Sequence, residues 1–185
     1  MIESLNLKFI TDTSRLPEIF DFRVKAYENS AYSKIVNRTL FPDGWSDEAD
    51  QFSFHWILTN VEDVIVASAR LTYFETVEQL ASIDIDISQF NLSVSKPFAL
   101  ISRLVVDKTL RNHGISKLFD TVRIDKMKKD NIPMCFAEAR QERIKSLENL
   151  DFGIVGSINF RANPDGAGES LTLMVWKNKN CVHDV

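Results

Sequence analysis

The sequence predicts an α+β domain: one mixed, mostly antiparallel sheet of about seven strands, with helices on both faces. Three observations predict it. Residues 100–129 pass from an apolar run, through a turn holding Gly114, into an amphipathic helix. Residues 52–74 place two apolar runs around the polar turn 60–63, the pattern of an antiparallel hairpin. Residues 134–176 then give a buried strand, a helix and a closing pair of strands.

Taken in order, residues 5–10 alternate apolar and polar side chains as a half-buried strand does. Thr13 or Ser14 caps a helix with Pro17 in its first turn, turning Ile19, Phe20, Val24 and Tyr27 inward. Residues 29–50 show no sustained period; Phe41-Pro42-Asp43-Gly44 reads as a turn, and the stretch as a short helix and a loop over the active face. The second hairpin strand covers residues 64–73. Residues 75–97 fit a short strand or a lid, with Ile83, Ile85 and Ile87 alternating with Asp84 and Asp86. Past Gly114, Ile115, Leu118, Phe119 and Val122 keep helical spacing, and Pro133 ends that segment. Residues 134–139 are a short buried strand. Ile144, Ser146, Leu147 and Leu150 belong to a further helix, and residues 154–160 and 171–176 close the sheet across a loop at 163–168.

A chain of 185 residues without repeat or linker suits one domain, residues 1–185. The formal charge of −4, with no basic run, argues against a nucleic-acid surface. Lys126, Lys128 and Lys129 read as a solvated helix end. Cys135 and Cys181 form neither a disulfide framework nor a metal spacing, so no metal is expected. No stretch reaches the length of a membrane span, and the expected compartment is the cytoplasm.

The order of elements around Gly114 presents backbone N–H groups and the positive end of a helix dipole to a phosphate. The spacing Arg111-x-x-Gly114-x-Ser116 after an apolar strand resembles the acyl-CoA signature of the GNAT acyltransferase superfamily, usually Gln or Arg-x-x-Gly-x-Gly or Ala. A later segment, Leu147-Glu148-Asn149-Leu150-Asp151-Phe152, looks like that superfamily's Tyr-Glu-Lys-Leu-Gly-Phe. The resemblance implies a GNAT fold, its sheet splayed between the fourth and fifth strands, and acetyl-CoA or another acyl-CoA as acyl donor. It implies that Arg111, Asn112, His113, Gly114, Ile115 and Ser116 hold the diphosphate. Leu104, Val105 and Val106 would line the pantetheine arm with their backbone.

The reaction so implied is direct attack of a primary amine on the thioester. A backbone N–H near Val105 or Val106 would stabilise the oxyanion, a fixed donor contributing about 3 kcal/mol. The amine must also lose a proton. Glu138, at the end of the second splayed strand, is the first candidate base, the alternative being a strand-end carboxylate or a partner for Arg140. His55, in the hairpin, is the second, the alternative being a histidine hydrogen-bonded in the packing. Two departures stand out: Leu147 where many members have the tyrosine that protonates the thiolate, and Arg140 where asparagine is frequent.

A second resemblance crosses the first. Arg23-x-x-x-Tyr27, Asp47-x-x-Asp50 followed by Gln51-Phe52, Arg70, and Ser102-Arg103 resemble the pattern of acyl-homoserine-lactone synthases and N-acyl amino acid synthases. It implies a charged network with Arg70 and Arg103 on the acceptor side, and acyl carrier protein as a donor. The glutamate of that pattern is Leu100 here. Three functions follow. The first is an N-acetyltransferase acting on a small amine. The second is an N-acyl synthase fed by acyl carrier protein through a basic face near Arg111, Arg123 and Lys126. The third is a non-catalytic acyl-CoA-binding module. A homodimer fits any of them.

Overall fold

The computed structural model describes residues 5–28, 30, 32–81, 83, 85–159 and 170–181. Its seven strands form one mixed sheet in the order β1-β2-β3-β4-β5-β7-β6. These are β1 (Asn6–Ile10), β2 (Phe54–Thr59), β3 (Ile65–Phe74), β4 (Phe98–Val106), β5 (Met134–Ala139), β6 (Gly153–Asn159) and β7 (Ser170–Lys177). The helices are α1 (Leu16–Lys25), α2 (Glu78–Ala81), α3 (Ile115–Lys129) and α4 (Gln141–Glu148). β4 and β5 are parallel, paired from Phe98↔Met134 to Ile101↔Ala137. The ladder stops there, while β4 runs on to Val106. The pairs β1–β2, β2–β3, β5–β7 and β6–β7 are antiparallel. The closing strands do pair, with β7 lying between β5 and β6. The chain clusters into two units, residues 1–71 with 103–120, and residues 72–102 with 121–185.

In the first unit, Leu16, Ile19, Phe20, Phe22, Ile57, Ile65 and Val105 form the core. The cap before α1 is Asp12, not Thr13 or Ser14. Its carboxylate accepts from the Ser14 N–H at 2.8 Å and opens a 3-10 turn over Thr13–Arg15 that leads into the helix. Ile19, Phe20 and Val24 are buried as expected, Tyr27 is half-buried, and Arg23 is buried beside them. The turn at residues 41–44 closes with the Gly44 N–H on the Phe41 carbonyl, 3.2 Å away. Gly44 has φ +102°, and a Cβ there would lie 2.6 Å from that of Phe20. In the hairpin turn, the Asn60 side chain accepts from the N–H groups of Glu62 (3.1 Å) and Val64 (2.9 Å).

The second unit packs Phe74, Leu80, Ile85, Ile87, Phe98, Leu100, Met134, Phe136, Ile158, Leu171 and Leu173 together. Its described residues within 75–97 contain the single helical turn α2 and no strand. Ile85 and Ile87 join this core, with Ile83, Phe90, Leu92 and Val94 packed against it. Their alternation serves burial rather than pairing. Phe90 lies against Gly156 in β6, where a Cβ would meet its ring at 2.5 Å. α4 ends with the Phe152 N–H on the Leu147 carbonyl (3.1 Å) and Asp151 at φ +67°, a left-handed cap of the kind usually served by glycine.

Along α3 the buried positions are Ile115, Phe119, Asp120, Arg123, Ile124 and Met127. Leu118, expected on the packed face, is 40% exposed. The loop at 163–168 and residue 160 lie outside the described residues. Both cysteines are free thiols. Among the described residues no helix is long and apolar enough to cross a membrane, and no His, Cys, Asp or Glu cluster could hold a metal ion.

Candidate active site

All nine residues expected to hold the donor lie in the first unit. Leu104, Val105 and Val106 end β4, beyond the last pairing with β5. The Val105 side chain is buried in the core, so only its backbone is left for a ligand. Asp107 then caps a 3-10 turn over Lys108–Leu110, accepting from the Thr109 N–H (2.8 Å) and hydroxyl (2.6 Å). Asn112 and Gly114 both adopt left-handed conformations, at φ +66° and +80°. Left-handed residues placed among ordinary ones turn successive N–H groups to one side, the geometry of an anion nest. The first hydrogen bond of α3 runs from the Leu118 N–H to the Gly114 carbonyl, 3.1 Å. Among the described residues, no acceptor takes the N–H groups of Asn112, Gly114, Ile115 or Ser116, while that of His113 closes the turn over Arg111 and Asn112. At Gly114 nothing lies within 4 Å of where a Cβ would stand. The loop therefore offers unengaged donors, a helix N-terminus and open space. The His113 Nδ1–H donates to the Arg111 carbonyl at 2.8 Å. The Arg111 side chain is exposed and folds back along the surface: its Nε donates to the Val106 carbonyl (3.2 Å) and its Nη2 to the Ala26 carbonyl (3.4 Å).

The first unit also assembles Arg23, Asp47, Asp50, Arg70 and Arg103, far apart in sequence, into one charged network. Asp47 caps the 3-10 turn Glu48–Phe52, and Asp50 accepts from the Asp47 N–H at 2.9 Å, which locks the two carboxylates together. Arg23, fully buried, donates from Nη1 to Asp50 Oδ1 (2.9 Å) and Oδ2 (3.1 Å) and to the Trp45 carbonyl (3.1 Å). Arg70 bonds Asp47 and lies 3.1 Å from Asp50, while Arg103 pairs with the other oxygen of Asp47. The Arg103 guanidinium also stacks 4.1 Å from the centre of the Trp45 ring. Arg103 reaches these partners from a left-handed backbone, φ +51°, within β4. Such a conformation costs a non-glycine residue about 1–3 kcal/mol and persists only where its surroundings impose it.

Burial, reinforced by the guanidiniums of Arg103 and Arg70 and opposed by Asp50, pulls Arg23 down to about 10. Burial alone would raise Asp47, but Arg70 and Arg103 outweigh it and hold its carboxyl well below the usual range. Asp47 is thus ionised at any ordinary pH.

His55 belongs to this network. Its Nε2–H donates to the Asp50 carbonyl at 3.0 Å, and its Nδ1 faces Arg23 Nη2 at 3.5 Å. Burial pushes its pKa down, with the Arg23 charge acting in the same direction. Both ring nitrogens face protein groups, the arrangement of a histidine hydrogen-bonded in the packing. Glu138 stands half-buried in the second unit, on β5 opposite Leu173 in β7. Leu147 is buried in α4. Tyr73 donates to Asp130 at 2.8 Å, and burial pushes its phenol up, so it is a poor proton donor to a thiolate. Arg123 cannot contribute to a basic docking face because it is 1% exposed, with Nη1 on the Ser102 carbonyl at 3.3 Å. Lys126 is held by Asp130.

Sequence reasoning missed Trp45, the surface on which Arg103 stacks. Its only signal was a lone tryptophan following the Pro-Asp-Gly turn. It also missed the burial of Asp120 and Arg123, which charge alone argues against.

No known family's profile matches the chain, and no curated protein matches it in sequence. Solved structures do match, and the chain shares its fold with acetyltransferases of the GNAT family. The structure of yncA from Salmonella typhimurium, with its cofactor acetyl-CoA, aligns with a TM-score of 0.61 at 11% identity, covering 99% of this chain and 97% of that one. The ribosomal-protein-S18-alanine N-acetyltransferase from Escherichia coli gives 0.60 at 13%, covering 94% and 93%. BjaI, a CoA-dependent acyl-homoserine lactone synthase with SAM and isopentyl-CoA, gives 0.69 at 12%, covering 96% and 86%.

Proposed function

We propose that the chain is an N-acyltransferase that moves an acetyl or other short acyl group from acyl-CoA to a primary amine. The observation that carries this reading is the set of N–H groups at Asn112, Gly114, Ile115 and Ser116, which no acceptor among the described residues takes. They and the positive end of α3 hold the donor's diphosphate. The Leu104–Val106 backbone, outside the β5 ladder, accompanies the pantetheine arm. Structural neighbours solved with acetyl-CoA and isopentyl-CoA support a thioester of CoA as donor. When bound, that thioester supplies an activated acyl group. The chain's part is to orient it, offer a backbone donor near Val105 or Val106 to the carbonyl oxygen, and accept the amine's proton. Glu138 is the base that the sequence offers for that proton, and solvent protonates the departing thiolate, since Leu147 has no acidic proton to give.

A second reading, an N-acyl amino acid or autoinducer-type synthase drawing on acyl carrier protein, is favoured by the charged network. The guanidiniums of Arg23, Arg70 and Arg103 meet the carboxylates of Asp47 and Asp50 there. An acceptor with a carboxylate beside its amine is the kind of group such arginines recognise. The two readings differ in donor: the first expects turnover of acetyl-CoA, the second faster turnover of long-chain acyl carrier protein.

The test is thermal stability with CoA, acetyl-CoA and longer acyl-CoAs. A ligand at 100 times its dissociation constant should add about 2.7 kcal/mol. Ser116→Glu, in the first turn of α3, should leave the unliganded protein as stable as the parent or slightly more so, because a carboxylate favours a helix N-terminus by about 0.3–1 kcal/mol. The same charge should abolish the CoA-dependent gain. A variant that responds to CoA like the parent would remove the diphosphate site from Gly114.

A further inference from the structure

The Arg111 side chain is the part of the donor loop that the phosphate reading does not use. Both its Nε and its Nη2, the two donors on one edge of the guanidinium, are committed to main-chain carbonyls of the first unit. One carbonyl is that of Val106, the last residue of β4. The other is that of Ala26, which caps the C-terminus of α1. The last carbonyls of a helix lack intrahelical partners and carry the negative end of its dipole, so a cation there is favourable. Beyond Ala26 the turn continues with Tyr27 and Glu28 donating to the Val24 carbonyl and Ser30 to that of Tyr27. Arg111 supplies a donor to this carbonyl from the far side of the unit's sequence.

We infer that Arg111 is a positioning residue, a strut joining the donor loop to the ends of α1 and β4, and not a ligand of the phosphate. This rests on the acyl-CoA reading of the loop for its functional consequence, while the strut itself is a property of the free protein. The two elements it joins also carry the charged network. Arg23 lies one turn before Ala26, and Arg103 three residues before Val106. Tyr27, next to Ala26, meets Trp45 edge-on at 5.6 Å between ring centres. Arg111 thereby sets the Asn112–Ser116 amides in a frame shared with the acceptor-side arginines. The fork geometry is what matters: two donors on one planar edge reach two carbonyls, which a single ammonium cannot reproduce.

Two variants, Arg111→Lys and Arg111→Gln, test the assignment by two readouts. In the unliganded protein, a strut predicts that both lower the melting temperature by about 2–4 °C. It also predicts faster hydrogen exchange at the amides of residues 112–116 in both. A side chain poised for phosphate predicts the opposite: removing a positive charge beside the N-terminus of α3 leaves stability unchanged or raises it. For binding, CoA affinity is measured between 50 and 300 mM NaCl. A strut predicts that Arg111→Gln weakens CoA by the same factor at every salt concentration and that Arg111→Lys restores little of the loss. A phosphate ligand predicts a shallower salt dependence in Arg111→Gln and near-complete rescue by lysine. Parent-like melting in both variants, or rescue by lysine, overturns the inference. Should the parent fail to bind CoA, the acyl-CoA reading falls, and melting with hydrogen exchange still decides whether Arg111 is a strut.

Discussion

A single histidine shows how burial redirects a residue type that suggests catalysis. His55 is withheld from solvent between Asp50 and Arg23, and its pKa is depressed. The unfolded chain therefore takes up a proton at about pH 6.5 that the folded chain refuses. Stability from this group is complete above that value and is lost as pH falls from 6.5 towards the depressed folded value. Urea midpoints measured from pH 7.5 to 5 should decline, and His55→Gln should flatten that decline. Asp47 acts with the same sign in a lower window, below about 4, because its folded pKa is depressed by its arginines. Asp50 is the residue on which the network depends most. Asp50→Asn would strip the fully buried Arg23 of its counter-ion and weaken the hold on Arg70. Breaking a buried pair from one side costs about 3–5 kcal/mol. Urea unfolding showing a loss under 1 kcal/mol would mean that these charges are solvated after all.

At the scale of elements, departures from the expected motif can be read as local energetics. The last helical cap of the superfamily pattern wants glycine, and Asp151 stands there at φ +67°. Its carboxylate meets Lys179 at 3.0 Å, but both side chains are mostly exposed and the pair stabilises little. Asp151→Gly should therefore stabilise the protein by about 0.5–1 kcal/mol, read as a higher melting temperature. Gly114 differs: its φ demands glycine, yet the space before it is empty. Gly44 is left-handed too, but there Phe20 also fills the space a side chain would need. Open space beside a left-handed glycine, at a helix start with unengaged amides, is what a ligand-binding turn requires.

For the molecule as a whole, the organisation of the second unit bears on what residues 83–94 are for. A lid would expose its apolar side chains in some states and contribute little to stability. Ile85 and Ile87 are buried instead, 5% and 3% exposed, in one cluster with Phe98, Leu100 and Phe136. Ile87→Ala should cost about 2–5 kcal/mol in urea unfolding. A loss below about 0.5 kcal/mol would restore the lid, the value expected of a surface change. The packing also bears on donor length, since a long acyl chain needs apolar volume that side chains have not already filled. Comparing turnover from acetyl to dodecanoyl thioesters measures how much is left.

Hydrophobic period and turn chemistry were enough to locate β2, β3, β5, α3 and the Gly114 turn, because each follows from forces acting between neighbours along the chain. The five charged residues of the network are singled out by the resemblance to acyl-homoserine-lactone synthases, not by composition or period. Other features arise only once distant segments meet. They include the stacking of Arg103 on Trp45, the commitment of both His55 nitrogens, the return of Arg111 to Ala26, and the burial of Asp120 and Arg123. The isoleucine alternation at 83–87 misled for the same reason: period reports that side chains are buried, not whether the backbone beside them is paired. The sequence by itself determined the order of elements and a donor loop of the right composition. Tertiary structure alone decided which polar groups are consumed by the protein and which are left over, because hydrogen-bond satisfaction is a property of neighbours in space.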